Sequence, residues 1–243
     1  MDTRSVESKS NPKDLISKIS RDYPSFAQEW MDDRTRALAA RWILLRENPQ
    51  LMLVHLVDLD SEEHDDAPFT RESLATLEQT DELIGNILAA MPAGAALAVV
   101  SDHGFERVDR IVNAKSVVPT VTQSGSILLA PDEKTAGQLR ELAKDSKYGI
   151  GREISKEEFA RFPSALNANP TAVFDSVEGV MFGNTQNGEL TGKPGEIGNH
   201  GHWPMRYRSA YILWGRGIPH EVLPEFSLKD IAGHLASVLG IKL

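Results

Sequence analysis

Ala95-Ala96-Leu97-Ala98-Val99-Val100-Ser101-Asp102-His103-Gly104 decides the fold. Its six leading apolar residues form a run of strand length with no polar face, as expected of a strand covered on both sides. An Asp and a His follow at the end of the run, with a glycine behind them that lets the backbone turn sharply. Upstream, Thr70 to Met91 repeats apolar residues at helical spacing through Leu74, Leu77, Leu83, Ile84 and Leu88, and Pro92-Ala93-Gly94 closes that helix. Leu51 to Val57 is another continuous apolar run. Before it, Asp32 or Asp33 caps a helix containing Leu38, Trp42 and Leu45 that Asn48-Pro49 ends. Helix, strand, helix, strand in that order predicts a parallel α/β sheet.

In an open α/β sheet, ligands collect beyond the carboxyl ends of the strands. Three segments hold acids or histidines there: Asp58-Leu59-Asp60-Ser61-Glu62-Glu63-His64, then Ser101-Asp102-His103-Gly104, then Gly198-Asn199-His200-Gly201-His202. Each alone has a bland reading, respectively a solvated acidic loop, an Asp capping a turn beside an exposed His, and a glycine-rich surface loop. Together they hold four of the seven histidines and point to a hydrolytic metal centre. His55, His220 and His234 lie outside these segments and read as structural or exposed.

Composition sets wider bounds. The chain has 243 residues, 41% hydrophobic and 25% charged, which suits a globular protein with one well-buried domain and room for a smaller one. A net charge of −9, from 26 basic against 35 acidic residues, argues against a general binder of nucleic-acid polymers. With no cysteine, any metal must be held by nitrogen and oxygen. The polar start from Met1 to Ser10 lacks the apolar core of a secretory signal, and no later run is long enough to span a bilayer. The chain as given therefore reads as cytoplasmic.

The organisation follows in three parts. Residues 1–31 are a polar lead-in with one short helix around Leu15, Ile16 and Ile19. Residues 32–105 and 198–243 form the α/β metal-binding core, closed by a strand over Ser209 to Trp214 and a helix over Leu228 to Leu239 capped at Gly240. Residues 106–197 break the rhythm and read as an α+β insertion, or cap. It has a strand at Ser126 to Ala130, helices at Asp132 to Lys144 and Ser155 to Arg161, and one or two strands within Ala172 to Phe182. Trp203 to Arg208 can wall a substrate site, with Arg206 or Arg208 pairing with phosphate or making an ordinary salt bridge.

The order D-x-x-x-H, apolar strand plus S-D-H-G, then G-x-H-G before a strand ending in G-x-G resembles the alkaline phosphatase superfamily, above all its type I phosphodiesterase and nucleotide pyrophosphatase branch. Leu228-Lys229-Asp230-Ile231-Ala232 is similar to that family's closing segment, so the resemblance runs from about residue 32 to the end. It implies a three-layer α/β/α alkaline-phosphatase-like core and a metal-dependent phosphodiesterase or phosphatase acting on a small phosphate ester. It further implies two divalent ions, usually Zn2+ with Mn2+ as the alternative, about 4 Å apart. Asp60, His64 and His200 match the ligands of one ion, and Asp102 and His103 match two ligands of the other.

Three departures qualify the resemblance. Relatives carry a further Asp ligand and a Thr or Ser nucleophile upstream of D-x-x-x-H. None of Thr3, Ser5, Ser8, Ser10, Ser17, Ser20 or Ser25 has that setting, so the chain reads as the carboxyl-terminal portion of such an enzyme, with an incomplete core. An upstream half or a second copy of the chain would then be its partner. Ala67, before Pro68, replaces a glycine common in relatives, a mild change. His202 stands where relatives often have an aromatic residue, and its role is open. The alternative to a hydrolase is a metal-binding or interaction domain that keeps the fold without the reaction.

Overall fold

The computed structural model describes residues 6, 8–26, 31–162 and 169–242. Along the chain these form α1 (Leu15–Asp22), α2 (Asp33–Glu47), α3 (Asp58–Asp66), α4 (Arg71–Leu88), β1 (Ala96–Val100), β2 (Glu106–Arg107), β3 (Arg110–Val112), β4 (Thr122–Ser124), β5 (Ile127–Ala130), α5 (Glu133–Leu142), β6 (Ile150–Ile154), α6 (Lys156–Ala160), β7 (Ala172–Ser176), β8 (Val180–Phe182), β9 (Thr191–Gly192), β10 (Gly198–Asn199), β11 (Tyr211–Gly215) and α7 (Ile231–Val238). They divide into two compact units. The first is Met1–Glu62, Arg71–Val100 and Ala210–Leu243, and the second is Glu63–Thr70 and Ser101–Ser209, so the division falls within α3.

In the first unit both candidate cap residues are used, for different helices. Asp32 accepts from the Thr35 backbone N–H at 2.8 Å and starts α2, which Asn48 ends in the left-handed conformation. Asp33, 1% exposed, accepts from the backbone N–H groups of Val57 and Asp58, and Asp58 accepts in return from the Asp33 N–H at 3.0 Å. Each carboxylate thus satisfies orphan donors where the other's helix begins, and Arg36, 2.7 Å from Asp33, balances the buried charge. The D-x-x-x-H segment, read from sequence as a stretch trailing a strand, is consequently helical. Elsewhere in this unit α1 packs on α2 through Ile19, Phe26 and Trp42, and α2 on α4 through Ala37, Ala40 and Ile87.

Two expectations for the sheet need correction. Leu51 to Val57 has no assigned strand and pairs with none among the described residues, and Leu51 and Leu53 are 59% and 83% exposed. The second run is a strand, β1, yet it pairs antiparallel with β11, Ala96 opposite Gly215 and Val100 opposite Tyr211. A parallel partner would have to be the strand joined to β1 by the crossover helix α4. Because the segment before α4 forms no ladder, β1 takes β11 as its described neighbour, and its residues are half-buried or, at Val100, exposed.

The second unit is built on an antiparallel sheet in the order β4-β5-β7-β6, over which α5 lays Ala136 and Leu139. These meet Leu128, Ala130, Phe174, Val112 and Phe182 in the largest apolar cluster of the described residues. A smaller sheet, β8-β3-β9, pairs β3 parallel to β8 and antiparallel to β9. The elements expected within 106–197 are present with caps at Asp132 and Ser155. Most informative is the two-residue ladder of β2 with β10, which sets Glu106 opposite Asn199 and Arg107 opposite Gly198. It ties together the ends of the long excursion between them, so His103, just before it, and His200, just after it, emerge side by side.

Candidate metal centre

His103 and His200 stack with ring centroids 3.7 Å apart and planes 12° from parallel. His64 enters from α3, its ring 5.1 Å from that of His200, and its Nδ1 lies 3.1 Å from the Gly198 carbonyl oxygen and 3.2 Å from a Glu196 carboxylate oxygen. Both neighbours only accept, so Nδ1 is the protonated nitrogen. Phe105 sets its ring against all three imidazoles, at 4.9 Å from His64, 5.5 Å from His103 and 5.2 Å from His200.

The approach of β10 to α3 depends on one glycine. A Cβ on Gly198 would lie 1.8 Å from the Glu63 carbonyl oxygen and 2.8 Å from Cα of Ala67, so no other residue fits. Ala67 closes α3 by donating its N–H to the same Glu63 oxygen, with φ at +67°. Left-handed backbone at a helix end is where glycine is favoured, so alanine carries about 1–2 kcal/mol of strain here.

Asp60 stands one turn before His64 on α3 and therefore on the same helix face. Within the second unit His64, His103 and His200 bring three imidazoles together, nitrogen donors of a kind able to hold a metal ion. Asp102 is placed differently. Its side chain is 84% exposed, with Oδ1 3.5 Å from His103 Nε2. Of the early hydroxyls, Thr3 and Ser5 lie outside the described residues, while Ser10 and Ser17 donate to the carbonyls of Val6 and Asp14 within their own segment.

Behind the imidazoles lies a buried polar framework that the sequence reading missed. His202, its side chain 3% exposed, places Nδ1 2.6 Å from Ser126 Oγ and Nε2 3.8 Å from a Glu106 oxygen. Burial, opposed by the nearby Glu106 carboxylate, holds this imidazole below its ordinary pKa. Glu106 accepts from Arg206 at 2.9 Å, from the Gly179 N–H and from the Tyr207 hydroxyl. Burial, and then Glu106, push the Tyr207 hydroxyl up to about 12. Arg206 also donates to Ser176 and lies 3.7 Å from Asp175. It is thus committed to ion pairs, the second of the two roles its sequence position allows, and these are buried rather than on the surface. Trp203 plugs into the cluster of Leu129, Ile154 and Val173. Nothing in the spacing marks Glu106. Its only signal is a charged residue directly after an aromatic that follows S-D-H-G.

The chain is thus a mixed α/β protein that brings imidazoles from three distant segments together. The family model for type I phosphodiesterase/nucleotide pyrophosphatase matches residues 6–179, well over half of the sequence, and the chain belongs to that family. The match begins upstream of residue 32, from which the motif resemblance runs, and ends before Gly198.

Solved structures agree in fold. Human ectonucleotide pyrophosphatase/phosphodiesterase 5 is 17% identical with a TM-score of 0.62, covering 86% of this chain and 59% of its own. The murine protein in complex with AMP gives 16%, 0.61, 86% and 59%. Phosphonoacetate hydrolase from Sinorhizobium meliloti in complex with phosphonoformate gives 16%, 0.59, 86% and 55%. The chain spans under two thirds of the length of these relatives, and it has the mixed α/β, alkaline-phosphatase-like fold that they share. No curated protein matches it. No helix among the described residues is long and apolar enough to cross a membrane.

Proposed function

We propose that this chain carries the metal centre of a phosphoester hydrolase acting on a small phosphate ester or phosphonate, with Asp60, His64 and His200 holding one divalent ion and Asp102 and His103 contributing to a second. The convergence of the His64, His103 and His200 imidazoles from three segments far apart in sequence carries this reading. The donors are imidazole nitrogen and carboxylate oxygen, a set that suits Zn2+ and accommodates Mn2+. Ions bound there would act as Lewis acids on the phosphoryl oxygens. The chain's own residues prepare the place. The Gly198 carbonyl and Glu196 keep the proton on Nδ1 of His64, which makes Nε2 its ligating atom. Phe105 excludes water from one side of the three rings, and the exposed carboxylate of Asp102 faces the solvent from which substrate arrives.

Metal content after dialysis, by elemental analysis, tests the assignment. His64→Ala and His200→Ala should lose most of the bound metal, while His220→Ala and His234→Ala keep it. Equal content in all four variants would overturn the reading. Catalysis is separable from metal binding and calls for a test of its own. A non-catalytic metal-binding domain is the second reading. Residues 1–243 should hydrolyse bis-p-nitrophenyl phosphate weakly with Zn2+ or Mn2+ supplied, and brisk metal-dependent turnover would reject the second reading.

A further inference from the structure

We infer that Ser126 and His202 are positioning residues for His200, holding the turn that presents its imidazole. The inference rests on the metal reading above. The turn from Gly198 to His202 is gripped at both ends. At its start, Asn199 pairs with Glu106 in the β2–β10 ladder, and the Asn199 side chain accepts the His200 N–H at 2.8 Å. At its end, Ser126 takes hold of the next peptide, donating its backbone N–H to Gly201 O at 3.2 Å and meeting His202 Nδ1 through Oγ at 2.6 Å.

The fit around this second grip is close. Gly201 has φ of +85°, and a Cβ on Gly125, next to Ser126, would lie 2.3 Å from Gly201 O. Ser126 is fully buried and the His202 side chain nearly so, with the ring packed 5.3 Å from that of Tyr207. His202 Nε2 has no hydrogen-bond partner among the described residues and lies 3.8 Å from Glu106, so the side-chain hydrogen bond that holds the ring is the one between its Nδ1 and the Ser126 hydroxyl. His202 thus lies between two buried groups, Ser126 in the turn from β4 to β5 and Glu106 on β2, while standing two residues from His200. A displaced Gly201 peptide would carry the His200 ring out of register with His103, with which it stacks at 3.7 Å.

The test is Co2+ titration of the full chain, read by the visible ligand-field spectrum, with thermal midpoints measured on the metal-free protein. Ser126→Ala and His202→Phe should weaken Co2+ binding by about tenfold and alter the spectrum. His202→Asn, whose amide reaches the same Ser126 hydroxyl, should restore most of the affinity, and it remains informative if His202→Phe fails to fold. Leu139→Ala, in the apolar core away from the turn, should lower the midpoint while leaving spectrum and affinity unchanged. If the unaltered chain takes up no Co2+, the metal reading falls and this inference with it. If the unaltered chain binds and the Ser126 and His202 variants bind equally well with the same spectrum, the positioning role alone is overturned.

Discussion

Gly198 shows how much of the site rests on a single side chain being absent. A methyl group there meets backbone on α3 at 1.8 Å, so Gly198→Ala must push β10 off the helix. The expected cost is about 1–3 kcal/mol of stability, the range for overpacking a close contact. Metal binding should fall further than stability does, because the Gly198 carbonyl is the partner of His64 Nδ1. Urea denaturation and metal content of the variant check both parts, and retention of full metal content would remove Gly198 from this role. At the residue scale the sequence was partly legible. Asp60, His64 and His103 follow apolar runs and His200 stands beside glycine, so short windows single them out, although the run before Asp60 forms no strand. Glu106, Ser126 and His202 could not be assigned, since a buried polar framework leaves no periodic trace and depends on partners far apart in sequence.

Among the elements, the helices opened by Asp32, Asp132 and Ser155 were read well, and α3 and the apolar runs less so. Caps are local: Asp32, Asp132 and Ser155 each accept from a backbone N–H three residues on, so a short window holds the information. Pairing is not local, and a run such as Leu51 to Val57 says nothing about which neighbour it lacks. The short helix α6 supports a prediction about acid. Glu158 accepts two hydrogen bonds from Arg152, each 2.6 Å, and one from Trp203, and the Arg152 guanidinium holds its carboxyl down at about 2. The folded value lies below the ordinary 4.5, so the folded state binds this proton more weakly. Its stabilising contribution is therefore complete above about pH 4.5 and is lost as pH falls toward about 2. Glu158→Gln should flatten the decline of the urea midpoint over that window, and an unchanged slope would mean the pair does not couple to folding.

Across the whole molecule, apolar burial is uneven. The second unit has a continuous core from Val112 to Phe182, whereas the first relies on two small clusters and leaves Leu53, Ile212, Trp214 and Val222 at 83%, 60%, 55% and 99% exposed. Stability follows buried apolar area, so the units should not melt together. Calorimetry of the metal-free chain should resolve two transitions, and hydrogen exchange should release the β1–β11 amides before those of β5 and β7. A single transition with uniform protection would show that the units unfold as one. The β2–β10 ladder has a consequence of another kind. Because residues 107 and 198 are paired neighbours, the segment between them starts and finishes at one ladder of the second unit. A segment with abutting ends can gain or lose length in its exposed stretches, as at residues 184–189, without parting the ladder, whereas a change at Ser126 would reach the turn after β10.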